Sequence, residues 1–140
     1  MKKILVAEDD FPSRELLTEI LLEWGYEVTQ AANGVEALAQ IEQVRPDLVL
    51  LDIQMPLLDG FGVIARIRGD PRSAALPVVA ISAYAMRDDS RRICSAGFDA
   101  YVAKPLDLGA LRALLQQTFL GNLTSPPSES ITNGCKEPVQ

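Results

Sequence analysis

The sequence predicts an α/β protein: a doubly wound, five-stranded parallel sheet with helices on both faces. Three observations carry this. Short apolar runs alternate five times with stripes of helical spacing along residues 1–120. The runs are continuous rather than alternating, as strands buried on both faces require. Gly or Pro punctuates the segments, and strand–helix pairs at this spacing imply right-handed crossovers between parallel strands.

The first run, Lys3-Ile4-Leu5-Val6-Ala7, ends in acids. Pro12 then suits the first turn of a helix, where its missing N–H would have no partner anyway. Leu16, Leu17, Ile20, Leu21 and Trp24 recur at helical spacing until Gly25. Tyr26-Glu27-Val28-Thr29 reads as a second strand. A helix from about Gly34 is expected to bury Val35, Leu38 and Ile41, and Pro46 breaks it. Asp47 to Asp52 is the third strand. A helix over Phe61 to Ile67 turns Val63, Ile64 and Ile67 inward. Pro77 to Ser82 is the fourth strand, and Met86 to Ala96 a helix closed by Gly97. Asp99 to Ala103 is the fifth strand. Leu108, Leu111, Leu114, Leu115 and Phe119 form the last stripe.

Residues 121–140 differ in kind. They hold Pro126, Pro127, Pro138 and a scatter of Ser and Thr with hardly any apolar periodicity. Such a segment buries too little surface to offset its ordering entropy, so it reads as a disordered C-terminal tail.

Composition narrows the chemistry. Nineteen acidic against 13 basic residues give a net charge of −6, without the basic footprint of a nucleic-acid binder. The chain has no histidine, which removes a Ser-His-Asp triad and any imidazole metal site. No segment reaches the length of a signal peptide's apolar region or a membrane span. The two cysteines, Cys94 and Cys135, match no metal or redox spacing. Both are expected to be reduced, and the domain to be cytoplasmic.

In an open parallel sheet, ligands bind beyond the carboxyl ends of the strands, near the reversal of strand order. The polar residues at that edge are Glu8, Asp9 and Asp10 after strand one, Asp52 ending strand three, Ser82 ending strand four, and Lys104-Pro105 after strand five. No Gly-rich phosphate loop accompanies them, so this is neither a dinucleotide site nor a P-loop. Glu8, Asp9 and Asp52 crowded together need a compensating cation. An all-oxygen set suits a hard divalent ion such as Mg²⁺. Asp10 reads instead as the cap of the first helix. A carboxylate at the lip of a dry core, opposite a lysine, is arranged to attack phosphorus. Lys104 would neutralise phosphoryl charge and Ser82 would donate to a phosphate oxygen.

These residues resemble a known family. Ile4-Leu5-Val6-Ala7-Glu8-Asp9-Asp10, Leu51-Asp52-Ile53-Gln54-Met55-Pro56 with Asp59-Gly60, Ile81-Ser82-Ala83 and Tyr101-Val102-Ala103-Lys104-Pro105-Leu106 are similar to the motifs of response-regulator receiver domains. The similarity spans about residues 2 to 120. It implies a (βα)5 flavodoxin-like receiver fold with Asp52 as phosphoacceptor. Glu8, Asp9 and the backbone carbonyl of Gln54 would complete a Mg²⁺ site. Ser82 would be the switch hydroxyl, Tyr101 the aromatic switch and Lys104 the phosphate-contacting lysine. Gln54 and Tyr84 would tune the lifetime of the phosphoryl group. The Lys104-Pro105 bond is expected to be cis.

The resemblance implies a single-domain response regulator of a two-component system or phosphorelay. Asp52 would take a phosphoryl group from a histidine kinase or histidine phosphotransfer protein. The change would be read by a downstream target protein at the last two helices and fifth strand, where Arg87, Asp88, Asp89, Arg91 and Arg92 lie. Such a domain is a phosphoprotein rather than an enzyme, and no nucleic acid or membrane contact is expected. One rival is an interaction module of the same fold that works unphosphorylated; a Mg²⁺-dependent fluorescence change at Trp24 would argue against it. Another is a hydrolase of the haloacid-dehalogenase type, which needs a second Asp where Gln54 stands.

Overall fold

A computed structural model describes residues 2–82, 87–119 and 132–134, with backbone alone for 87–90 and 132–134. The chain runs β1 (Lys3–Ala7), α1 (Phe11–Glu23), β2 (Glu27–Ala31), α2 (Gly34–Val44), β3 (Leu48–Asp52), α3 (Gly60–Gly69), β4 (Val78–Ser82), α4 (Arg87–Ala96), β5 (Ala100–Ala103), α5 (Leu108–Phe119) and β6 (Thr132–Gly134). The sheet order is β2-β1-β3-β4-β5-β6. The first five strands pair in parallel, and the order reverses between β1 and β3.

Local chemistry starts and stops the helices where the sequence suggests. The Asp10 side chain caps α1 by accepting from Ser13 N, with Pro12 in the first turn. Asn33 caps α2 by accepting from Glu36 N, and Asp59 caps α3 by accepting from Gly62 N. Gly97 takes a φ of +112° to turn α4 into β5, a conformation that favours glycine.

The core lies on both sheet faces because successive strand residues point opposite ways. Leu5 and Ala7 of β1 join Val49, Leu51, Val63, Ile64, Ile67, Val78 and Ile93 beneath α2, α3 and α4. Ile4 and Val6 join Leu17, Leu21, Leu48, Leu50, Val79, Leu111, Leu114 and Leu115 beneath α1 and α5. All five residues of β3 and of β4 are buried.

Three expectations need correction, and the α1 stripe is resolved into its inward and outward residues. Leu16 is 59% exposed, because Leu17 and Leu21 are the α1 positions that face the sheet and Leu16 is turned away from them. Val35 is 55% exposed for the same reason: Ala37 and Ile41 cover the sheet, and Val35 points outward from the first turn of α2. Within the tail, Thr132–Gly134 pairs antiparallel with β5 and so adds a sixth strand. A backbone ladder on a sheet edge needs no apolar alternation, which is why composition alone missed it. Finally, Cys94 is disulfide-bonded rather than reduced. The rest of the tail, Cys135 included, lies outside the described residues.

Candidate functional site

The carboxyl ends of β1 and β3 flank the point where strand order reverses, and they bring three carboxylates together. Glu8, Asp9 and Asp52 each place an oxygen within 4.8 Å of the others. Glu8 and Asp52 are buried and Asp9 is exposed. β1 is apolar from Ile4 to its end at Ala7 and β3 from Leu48 to Leu51, so Glu8 just after β1 and Asp52 at the end of β3 are delivered to the rim of a dry core.

Lys104 reaches in from the end of β5. Its Nζ donates to Glu8 Oε1 at 2.8 Å and to Asp52 Oδ2 at 2.9 Å. The Lys104-Pro105 bond is cis, as expected. Gln54 N donates to Asp52 Oδ1 at 2.9 Å, so both oxygens of Asp52 are held. Asp10 N donates to the second Glu8 oxygen at 3.2 Å. Backbone and lysine together fix the two buried carboxylates before any ligand arrives.

The electrostatics are unbalanced. Burial pushes the Glu8 carboxyl above its ordinary range, and Asp52 beside it pushes the same way, against the pull of Lys104. Burial alone would lower the Lys104 ammonium. Its bonds to Glu8 and Asp52 outweigh that and raise it, so the lysine stays charged. One lysine against three acids leaves an ionised cluster two charges short of neutrality. An all-oxygen set with that deficit fits a hard divalent cation such as Mg²⁺.

Other predicted site residues divide into those the structure places and those it does not. Ser82 is buried at the end of β4, and Lys104 N donates to its carbonyl at 2.9 Å, which ties β5 to the end of β4 beside the acid cluster. Tyr101 is buried within β5. Asp10 stays outside the acid cluster as a cap, bonded to Ser13 N at 3.2 Å and Ser13 Oγ at 2.6 Å. Tyr84 lies outside the described residues, as do the side chains of Arg87, Asp88 and Asp89. Arg91 and Arg92 are exposed, and the Arg92 guanidinium sits 4.3 Å from the centre of the Phe61 ring. Trp24 follows a 13-residue helix whose other end faces the site, about 20 Å away along the axis.

Sequence reasoning missed two supporting residues. Arg14 donates to the Glu8 carbonyl at 2.8 Å and packs over Phe11, bracing the β1–α1 loop. Arg68 donates to Gly97 O, Ala74 O, Leu76 O and Asp99 Oδ2, and so pins the start of β5 to α3. Neither lies at a strand end, and no spacing in the sequence marks them.

Comparison with known proteins gives the same picture. The family profile described as "Response regulator receiver domain" matches residues 4–116. The DNA-binding dual master transcriptional regulator RpaA of Synechocystis sp. is 40% identical over 139 residues; the match covers 96% of this chain and 57% of RpaA. The polar-differentiation response regulator DivK of Brucella anthropi is 36% identical, over 76% of this chain and 87% of DivK. Among solved structures, the receiver domain of sensor histidine kinase PA1611 from Pseudomonas aeruginosa PAO1 superposes with a TM-score of 0.78 at 32% identity. That match covers 86% of this chain and 98% of that one, which holds a magnesium ion in its active-site cleft. The chain therefore belongs to the family of response-regulator receiver domains.

Proposed function

We propose that Asp52 accepts a phosphoryl group from a phosphohistidine on a histidine kinase or phosphotransfer protein. The observation that carries this is the Lys104 ammonium bonded to both buried carboxylates with Asp9 beside them. An Asp52 oxygen attacks phosphorus as the P–N bond to the donor imidazole breaks, and the imidazole leaves as the neutral base. Lys104, already within reach, shifts to the incoming phosphoryl oxygens, and Ser82 donates its hydroxyl to one of them. Glu8, Asp9, Asp52 and the Gln54 carbonyl would hold Mg²⁺, which supplies charge neutralisation at phosphorus.

The added charge then biases a two-state switch. Ser82 moves toward the phosphate and Tyr101 turns inward, reshaping the surface of α4, β5 and α5 for a downstream protein. Gln54, exposed beside Asp52, and Tyr84 would set how long the phosphoryl group survives. In this reading the protein is a cytoplasmic regulator built on the receiver domain of residues 1–120, to whose sheet the later segment adds β6, with no catalytic turnover beyond its own phosphorylation and dephosphorylation. Gln54, where a haloacid-dehalogenase-type hydrolase has its second Asp, argues against that alternative.

The test is labelling with a small phosphodonor in Mg²⁺. Wild type is expected to form one acyl phosphate per chain and Asp52→Asn none. Equal labelling of the two would overturn the assignment and favour an interaction module that works unphosphorylated.

A further inference from the structure

The strand ends that carry the acid cluster form only one edge of the sheet. α2 and α3 both start at that edge and run roughly 15 Å to the opposite one. A cavity of about 270 Å³ opens between their last turns. Its floor is apolar: Leu38 and Ile41 from α2, Pro46 after it, Ile67 from α3 and Leu76 before β4 are all buried or half-buried. Its rim is charged, with Glu42 and Arg45 on one side and Arg66, Asp70 and Arg72 on the other.

The charges on that rim do not cancel. Asp70 Oδ2 accepts from Arg72 at 3.0 Å, and Glu42 adds a weaker negative pull on the same arginine. Arg45 and Arg66 have no ion-pair partner among the described residues. Two exposed guanidinia above an apolar floor are unusual in a chain of net charge −6. Arg45 is held at a φ of +53°, a left-handed helix end that ordinarily takes glycine or asparagine. The helix carbonyls that end here are themselves bonded: Ile41 O accepts from Arg45 N, and Ile67 O from Asp70 N and Ser73 Oγ.

We propose that this cavity binds a small amphipathic organic anion. Its apolar body lies on Leu38, Ile41, Ile67 and Leu76. Its carboxylate meets Arg45 and Arg66, whose planar donor forks match a carboxylate. The volume falls just below the roughly 300–1,000 Å³ of drug-sized ligand sites, so the body is about the size of two fused rings. The site lies at the far ends of α2 and α3 from Asp52, and it does not depend on the phosphoacceptor reading.

Calorimetric titration of the full chain tests this, with 2-naphthoate as the probe and 2-naphthamide, its uncharged isostere, as the control. Wild type is expected to bind one 2-naphthoate per chain, at least about tenfold tighter than the amide, the factor a hydrogen bond to a charged group supplies. Arg45 and Arg66 are exposed, so Arg45→Gln and Arg66→Gln should keep the wild-type Tm. Each should weaken 2-naphthoate about tenfold and leave the amide unchanged. Amide-proton shifts on adding 2-naphthoate are expected at Ile41, Arg45 and Ile67 and not at Glu8 or Asp9. Asp52→Asn should bind 2-naphthoate like wild type, which separates failure of this site from failure of the phosphoacceptor reading. No binding of 2-naphthoate, equal affinity for acid and amide, undiminished affinity in both arginine variants, or shifts confined to the acid cluster would each overturn the proposal.

Discussion

Lys104 shows how a single side chain both holds the fold and sets the chemistry. Its ammonium is the charged partner of Glu8 and Asp52, whose side chains are 4% and 7% exposed, while its own is 31% exposed. Lys104→Met leaves two buried carboxylates facing each other without a cation. Removal of one partner of a buried ion pair costs about 3–5 kcal/mol, and the part-exposed lysine reduces this to about 2–3 kcal/mol. Urea unfolding at pH 7 measures the loss, and phosphodonor labelling should fall with it. Asp10 provides a second residue-scale outcome. Its bonds from the Ser13 side chain and backbone hold its carboxyl below the ordinary value of 3.8. The carboxylate is thus stabilised in the folded state. Its contribution is fully present above that ordinary value and disappears as pH falls through the lower folded one. Acid unfolding of Asp10→Ala should lack this component, leaving a shallower dependence of stability on pH across that window.

At the scale of elements, close approaches that no sequence pattern reveals hold the site's loops. A Cβ on Gly34, at the start of α2, would run into the carbonyl oxygen and Cβ of Leu58 in the β3–α3 loop. That loop follows Asp52 directly, with Leu57 at a φ of +69°. Gly34→Ala drives a methyl into the Leu58 backbone, so it should destabilise by about 1–3 kcal/mol and also slow labelling at Asp52. Gly25→Ala provides the contrast: nothing lies within 4 Å, and the strain there comes from a φ of +95° alone. Thermal unfolding of the two variants beside labelling rates separates the effects, because only Gly34 touches a loop of the site. Helix spacing made both helices legible in the sequence, yet it did not give their rotation about their own axes. Leu16 and Val35 fit a stripe equally well on paper, and only the position of the sheet decides that Leu17, Leu21, Ala37 and Ile41 face it. The Arg68 clamp was illegible for another reason. It bonds three backbone carbonyls and Asp99, partners fixed by tertiary structure rather than by spacing.

Across the whole molecule, the parallel sheet and the acid cluster were legible because one physical rule produces both. Strands buried on two faces must be apolar along their length, so the first polar residue after each run marks the sheet edge, and Glu8, Asp52 and Ser82 all sit there. β6 and the disulfide at Cys94 were not legible, since neither depends on apolar patterning. The same cluster links the site to global stability. An ionised set of three acids and one lysine is repulsive in the folded protein and is diluted on unfolding, so a divalent cation that binds it stabilises the native state alone. At a hundredfold excess over its dissociation constant, Mg²⁺ should add about 2.7 kcal/mol. For a domain of this size that is a rise of roughly 10 °C in Tm. Calorimetry with MgCl2 against an ionic-strength match of NaCl checks this. Asp9→Ala removes an exposed acid without opening the core and relieves part of the repulsion, so it should raise Tm slightly in NaCl and abolish most of the Mg²⁺ increment. An equal Mg²⁺ shift in Asp9→Ala and wild type would move the cation away from this cluster.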